Sequence, residues 1–276
     1  MLRYYVDDCE FGGSFNPIVL NGGIIIRSDQ EIEMIRTIED YKEAQFGHRF
    51  FPAKFNLKHL KPFYTKHLKV DLYERLMGDY DNFRNGLIET ISKFDYKVLI
   101  SCIQSFRDER TFVIASKDKL RRFAFSMCLM RFALEAKVSN QEAELIFDFP
   151  TGSNPILTSE EYAFAYRRGS SSDNVTYSSG NLRCLNFLDS VKYSCTDYSS
   201  LLQITDIYVG AAKHFIEHIQ EKGGREFGYN LLSSNFSKFR GYPNRVPEYG
   251  FVFDHGKGTL ALRELVEAHI RTITAG

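Results

Sequence analysis

Four acidic residues, at three places in the chain, stand where carboxylates are costly. Asp7 and Asp8 close an otherwise apolar opening run, Tyr4-Tyr5-Val6-Asp7-Asp8. Asp148 ends Ala143-Glu144-Leu145-Ile146-Phe147-Asp148-Phe149, and Asp206 lies early in the mostly apolar Leu201-Leu202-Gln203-Ile204-Thr205-Asp206-Ile207. A carboxylate among apolar neighbours must find a cation, a metal or hydrogen-bond donors. Each alone reads as readily as a turn or cap residue. Together, two strand ends and a neighbouring helix can bring them to one edge of a sheet, where hard oxygen donors suit Mg²⁺ or Mn²⁺. Two such cations ~3.5–4 Å apart activate water and stabilise the leaving oxygen in phosphodiester hydrolysis.

A second candidate lies in residues 44–70. Arg49, Lys54, Lys58, Lys61, Lys66 and Lys69 occur there with His48, His59 and His67 and no acidic residue, interleaved with Phe46, Phe50, Phe51, Phe55, Phe63 and Tyr64. Cations can hold a phosphate backbone while rings stack on bases. The same pattern also fits core aromatics with solvated lysines. Lys213, seven residues after Asp206, shares its helix face, either to neutralise phosphate or to form a structural salt bridge.

The elements that must position these residues follow from pattern. Leu2–Asp8 and Ile18–Arg27 read as two strands of a hairpin. Ser28-Asp29-Gln30-Glu31 has capping-box spacing and opens a helix that fades near Ala44. A helix from Asp71 to about Phe94 is interrupted at Gly78 and Gly86, and Tyr96–Gln104 is a third strand. Ser116 caps a helix ending near Lys137, and residues 143–149 form a fourth strand stopped by Pro150. Tyr166–Asn181 reads as a flexible loop and Leu182–Leu188 as a fifth strand. Ser199–His218 is a helix, Gly223–Gly258 is turn-rich, and Leu262, Leu265, Val266, Ile270 and Ile273 mark a terminal amphipathic helix.

Composition narrows the function classes. The 276 residues carry 35 Lys+Arg against 35 Asp+Glu, so bulk electrostatics alone would not coat nucleic acid or an anionic membrane. No apolar run approaches the ~20 residues of a membrane span. The start, Met1-Leu2-Arg3-Tyr4-Tyr5, lacks a cationic region followed by an apolar signal core, so a cytoplasmic protein is expected. Cysteines 9, 102, 128, 184 and 195 are odd in number and contain no Cys-x-x-Cys pair, consistent with reduced thiols. Cys102 and Cys128 read as buried filler, and acidic neighbours disfavour a Cys9 thiolate. His214 and His218 have helical metal-pair spacing without the required intervening Glu, and read as exposed helix histidines. The Arg263–His269 spacing puts the two on different helix faces, so packing accounts for them. Gly256-Lys257-Gly258 lacks the rest of a phosphate loop, and no dinucleotide fingerprint is present.

The order of Tyr4-Tyr5-Val6-Asp7-Asp8, Gly22-Gly23-Ile24-Ile25-Ile26, Ile146-Phe147-Asp148 and Leu202-Gln203-Ile204-Thr205-Asp206 resembles domain-of-unknown-function family 3800, whose members open with a strand ending Asp-Glu-Ser-Gly and later carry a Gln-Leu-Ala-Asp helix. The resemblance implies a single α/β domain over 1–276. Its core, about 1–30 and 93–218, would be a ribonuclease-H-like mixed five-stranded sheet flanked by helices. A helical insertion would fill 31–92 and a C-terminal helical extension 219–276. It also implies a metal site of Asp7, Asp148 and Asp206, with Asp7 bridging two metals and Asp8 a further candidate ligand. Asp8 stands where the family has Glu, and Cys9-Glu10 where it has Ser-Gly, so Glu10 is a substitute acidic ligand to consider. The expected function is a Mg²⁺- or Mn²⁺-dependent nuclease acting on RNA or DNA, with Lys54, Lys58, Lys61 and Lys213 contacting nucleic acid. The alternative is a noncatalytic nucleic-acid- or protein-binding module that kept the fold.

Overall fold

The computed structural model describes residues 1–13, 16–105, 115–149, 155–254 and 259–275. In chain order the elements begin β1 (Leu2–Phe11), β2 (Ile18–Arg27), α1 (Ser28–Phe46), α2 (Lys61–Lys66), α3 (Val70–Gly78), α4 (Tyr80–Ile91) and β3 (Tyr96–Gln104). They continue as α5 (Lys117–Ser139), β4 (Ala143–Asp148), α6 (Pro155–Arg168), β5 (Lys192–Ser194), α7 (Ser200–Ile219), α8 (Glu226–Ser234), α9 (Val246–Tyr249), β6 (Phe251–Phe253) and α10 (Leu260–Ala275).

The strands form one mixed sheet in the order β5-β4-β1-β2-β3-β6. β1, β2 and β3 run antiparallel in sequence, whereas β4 lies parallel to β1, β5 parallel to β4, and β6 parallel to β3. Strand alternation divides the core between the two faces. Tyr5, Leu20, Ile24 and Ile100 pack towards α1, α4, α7 and α8, while Tyr4, Val6, Ile25 and Leu99 pack towards α5 and α6.

The central helix on the first face is α7. Ser199 starts it, its Oγ accepting from Leu202 N at 3.4 Å, as an N-cap serine does for an otherwise unpaired amide. Leu201, Leu202, Ile204, Ile207, Ala211 and Phe215 are buried along it, each large aliphatic contributing about 1.5–3 kcal/mol. Gly23 lets this helix approach the sheet closely. A Cβ there would collide with Tyr5 O and come within 2.5 Å of Thr205 Cγ2. The Thr205 hydroxyl donates to Tyr5 O at 3.3 Å, fixing the helix on β1 one residue before Asp206.

Several expectations need correcting. The sheet has six strands, because Phe251–Phe253, inside the segment read as turn-rich, adds to its edge; α8 and α9 also fall within that segment. Leu182–Leu188 is not a strand: Leu182–Leu185 is a 3₁₀ turn, and the strand beside β4 is Lys192–Ser194. No capping box forms at Ser28, since the N-cap is Arg27 without a side-chain bond, and Glu31 is instead buried against Arg3 and the Tyr5 hydroxyl. Gly86 sits within α4, its missing side chain making room for the Tyr41 ring, so only the Gly78–Asp79 junction breaks that helical region.

Tyr166–Asn181 is not a loose loop either. α6 runs to Arg168, and beyond it Tyr177 is buried with its hydroxyl 2.8 Å from Ser126 Oγ. β1 extends past Asp8 to Phe11, and Leu265 is 46% exposed whereas Leu262, Val266 and Ile270 are buried. Pro150 and Gly256-Lys257-Gly258 lie outside the described residues. Among the described residues no helix is long and apolar enough to cross a membrane.

Candidate carboxylate site at the sheet edge

The parallel pairing of β1 with β4, Leu2 with Ala143 through Val6 with Phe147, carried one residue further sets Asp7 beside Asp148. Residues paired in parallel strands point to the same face, so both carboxylates follow Tyr5 and Ile146 towards α7. Asp206 is presented from α7. The three therefore come from β1, β4 and α7 to one edge, as the sequence suggested.

Each has one oxygen fixed by a backbone amide. Asp7 Oδ1 accepts from Asp8 N at 2.7 Å, and Asp148 Oδ1 from Thr196 N at 2.7 Å. Asp206 Oδ2 accepts from Phe55 N. Among the described residues no hydrogen-bond donor reaches the other oxygen of any of the three, which leaves those oxygens available to a ligand. Asp7 is 8% exposed, and burial together with the fields of Asp206, Asp148 and Asp8 pushes its pKa well above the ordinary carboxylate range. Burial likewise raises Asp206, with Asp148 adding to it while the Phe55 amide, Lys54 and His59 oppose.

Among the described residues Lys54 answers this charge most directly. Lys54 Nζ lies 3.1 Å from Asp197 Oδ1. Burial works against its ammonium, but Asp206, Asp197 and Asp148 outweigh it and hold its pKa above the usual lysine value.

The other predicted residues divide. Asp8 alternates to the opposite face, where Arg121 Nε is 3.6 Å from its Oδ2; burial nevertheless raises its pKa, with Arg121 opposing. Glu10 is paired with Lys117 and with Arg121 Nη2 at 3.3 Å. Lys213 is 4.0 Å from Glu217 and 5.9 Å from the Phe11 ring, near the end of β1. Lys58 and Lys61 are exposed on the 3₁₀ turn Leu57–Leu60 and at the start of α2, and among the described residues neither has a carboxylate partner.

Most aromatics of the 44–70 segment serve the core: Phe51, Phe55 and Tyr64 are buried, and Phe46 and Phe63 pack against the same cluster. Phe50 is 70% exposed. Among the cysteines, Cys102 and Cys128 are buried as expected, and burial, followed by opposing help from Lys213, leaves the Cys9 thiol pushed up to about 12. His214 is packed on Phe55 and 2.9 Å from Glu217, so it is not an exposed histidine. His269 is packed between Tyr229 and Phe215.

Sequence inspection missed the residue that ties the site together. Gln203, buried in α7, accepts at Oε1 from Lys42 Nζ at 2.6 Å and Ala53 N at 3.1 Å, and donates from Nε2 to Thr196 O at 3.0 Å. One side chain thus joins the Ala53–Phe55 strap that holds Asp206 to the Thr196 strap that holds Asp148. Its only signal was its place as the Gln of the run that resembles the Gln-Leu-Ala-Asp helix, three residues before Asp206. His59, which lies near enough to Asp206 to oppose the rise in its pKa, was visible only as one histidine of the basic stripe.

Among the described residues no group of three or more His, Cys, Asp and Glu side chains stands as a formed metal cage. The donor set still fits a hard divalent cation, since three mutually repelling carboxylates each keep an oxygen without a donor. Fold and site together define a mixed α/β protein, a six-stranded mixed sheet flanked by helices with an acidic cluster where α7 covers the neighbouring strands β1 and β4. No family model, curated protein or solved structure matches this chain.

Proposed function

We propose that this chain is a divalent-metal-dependent nuclease with a ribonuclease-H-like core, hydrolysing phosphodiester bonds of RNA or DNA. The observation that carries this is the convergence of Asp7, Asp148 and Asp206 from two neighbouring parallel strands and the helix packed on them. Support comes also from the coarse architecture, a mixed sheet flanked by helices in which β1, β2 and β3 run antiparallel and β4 lies parallel to β1.

Asp7, Asp148 and Asp206 would hold the cation through the oxygens their backbone amides leave unused. When bound, Mg²⁺ or Mn²⁺ supplies Lewis acidity and activation of water for phosphodiester hydrolysis. The backbone amides of Asp8, Thr196 and Phe55 orient the carboxylates, and Gln203 keeps two of the three amide-bearing straps in register. Lys54, kept cationic by its acidic neighbours, is placed to offset charge on the scissile phosphate. Lys58 and Lys61 add cationic contacts along the backbone, with Lys213 on the flank towards Phe11.

The second reading, a noncatalytic binding module, draws on the lack of a formed three-residue cage among the described residues. Calorimetric titration with Mn²⁺ separates the two. The nuclease predicts saturable binding that Asp7→Asn and Asp206→Asn abolish. Heat indistinguishable from dilution in the parent would favour the module.

A further inference from the structure

Beside the carboxylate edge is a cavity of about 250 Å³ whose walls include Phe50, Phe63 and Tyr198 and whose polar side includes Asp197, Ser200 and Gln203. Tyr198 is 75% exposed and Phe50 70% exposed, although both are large aromatics bordering the same hollow. Apolar surface gathered at a hollow, unlike scattered exposed residues, marks a binding place. The Tyr198 and Phe63 rings stand 6.1 Å apart at 66°, close to edge-on, so the two do not cover each other's faces.

The cavity is joined covalently and by hydrogen bonds to the acidic site. Asp197 lies between Tyr198 and Thr196, the residue whose amide holds Asp148, and it pairs with Lys54 next to the Phe55 amide on Asp206. Gln203 forms part of the cavity and ties both straps. The 3₁₀ turn Leu57–Leu60 and α2, the helix that supplies Phe63 to the cavity, carry Lys58, Lys61 and Lys66, all exposed and, among the described residues, without carboxylate partners. A hollow of aromatic faces with polar edge groups beside a cationic rim has the chemistry of a base pocket along a phosphate backbone. Its volume of about 250 Å³ falls below the ~300–1,000 Å³ of sites for drug-sized molecules and leaves room for a base.

We infer that the Phe50–Phe63–Tyr198 cavity receives one unpaired base of the nucleic acid, making a single-stranded segment the substrate of the adjacent carboxylate site. This rests on the nuclease reading for its link to cleavage. The pocket itself can be tested without cleavage. A base in a duplex stays stacked and paired and cannot reach the hollow, whereas an unpaired base exposes its face to Tyr198 or Phe50 and its edge to Ser200 and Asp197.

The test is fluorescence anisotropy in EDTA, using a fluorescein-labelled single-stranded 12-mer, the same strand with abasic sites throughout, and a 12-base-pair duplex. The parent should bind the intact strand about 5- to 160-fold more tightly than the abasic strand, the span expected for stacking on an aromatic side chain. Tyr198→Ala and Phe50→Ala, both exposed and so not expected to unfold the chain, should lose most of that difference while binding the abasic strand as the parent does. Lys58→Ala should instead weaken intact and abasic strands alike. Equal parental affinity for intact and abasic strands, unchanged discrimination in both aromatic variants, or tighter binding of the duplex overturns the pocket. Adding Mn²⁺ then separates the two ideas. Base-dependent binding without cleavage keeps the pocket and removes the nuclease, and cleavage with base-independent binding keeps the nuclease and removes the pocket. A parent that binds none of the three probes overturns the pocket and leaves the exposed rings to be tested as a protein contact.

Discussion

Asp7→Asn should stabilise the protein at neutral pH, even though it removes a central functional group. Asp7 is buried, and its pKa is pushed up by that burial and by Asp206, Asp148 and Asp8. Asn is nearly isosteric and keeps an oxygen to accept from Asp8 N, so the main change is loss of the charge. Adjacent strands lie about 4.8 Å apart, which places neighbouring carboxylates on them about 5–7 Å apart. At an effective dielectric of about 20, one such pair repels by about 2–3 kcal/mol. Lys54 offsets part of this, so a net gain of about 1–3 kcal/mol is expected at pH 7, or about 2–5 °C in melting temperature for a chain of this size. The gain must depend on pH. With the folded pKa above the ordinary value of 3.8, the native state holds a proton that the unfolded chain releases as pH rises past that value. Native stability therefore falls with rising pH across that window and stays low above the folded pKa. Thermal unfolding of parent and variant at pH 7 and about pH 3.5 reads this directly: a gap at pH 7 that closes in acid is expected. A variant no more stable than the parent at pH 7, or a gap unchanged by acid, refutes the charge-repulsion argument.

Three further outcomes follow from the same packing. Lys42, buried against Phe51 O and Gln203, has its pKa lowered to about 7 by burial, with Glu39 opposing. The native state then sheds a proton that the unfolded chain keeps to about pH 10.5, so stability should rise between pH 7 and pH 9 by about 2 kcal/mol relative to Lys42→Met, measured by urea unfolding. Gln203→Leu should cost about 2–4 kcal/mol, because Lys42, Ala53 N and Thr196 O lose partners in the interior, and should weaken Mn²⁺ binding, whereas a surface control such as Lys61→Ala changes neither stability nor Mn²⁺ affinity; calorimetry checks both. Gly23→Ala should cost about 1–3 kcal/mol or more by forcing α7 off Tyr5 O, seen as a lower melting temperature.

Much of the site was legible because strands and buried helices leave period-2 and apolar signatures that make a misplaced carboxylate conspicuous. Ile18–Arg27 and Tyr96–Gln104 could be bounded from sequence for that reason, and Asp7, Asp148 and Asp206 stood out against their apolar runs. What could not be seen depends on distant contacts. Ser28 and Glu31 have capping spacing, but Glu31 gains more from Arg3 and Tyr5, which arrive from β1. Leu182–Leu188 has strand composition, yet Asn186 turns left-handed with φ 57° and the run folds into a 3₁₀ turn. β6 is three residues long and exists only because β3 offers it a parallel edge. Gln203 shows locally only as the Gln of the run that resembles Gln-Leu-Ala-Asp, and its role is invisible there because its partners lie 6 to 161 residues away.

The most direct measurement of the central claim is cleavage of labelled single-stranded RNA and DNA by the parent, Asp7→Asn and Asp148→Asn, each with Mg²⁺, Mn²⁺ or EDTA. The account predicts metal-dependent cutting by the parent that EDTA abolishes and that falls by at least about 100-fold in each variant, while both variants remain folded by thermal unfolding. Cutting by Asp148→Asn at the parental rate, or a folded parent that binds the strands yet leaves them intact with either metal, would contradict it.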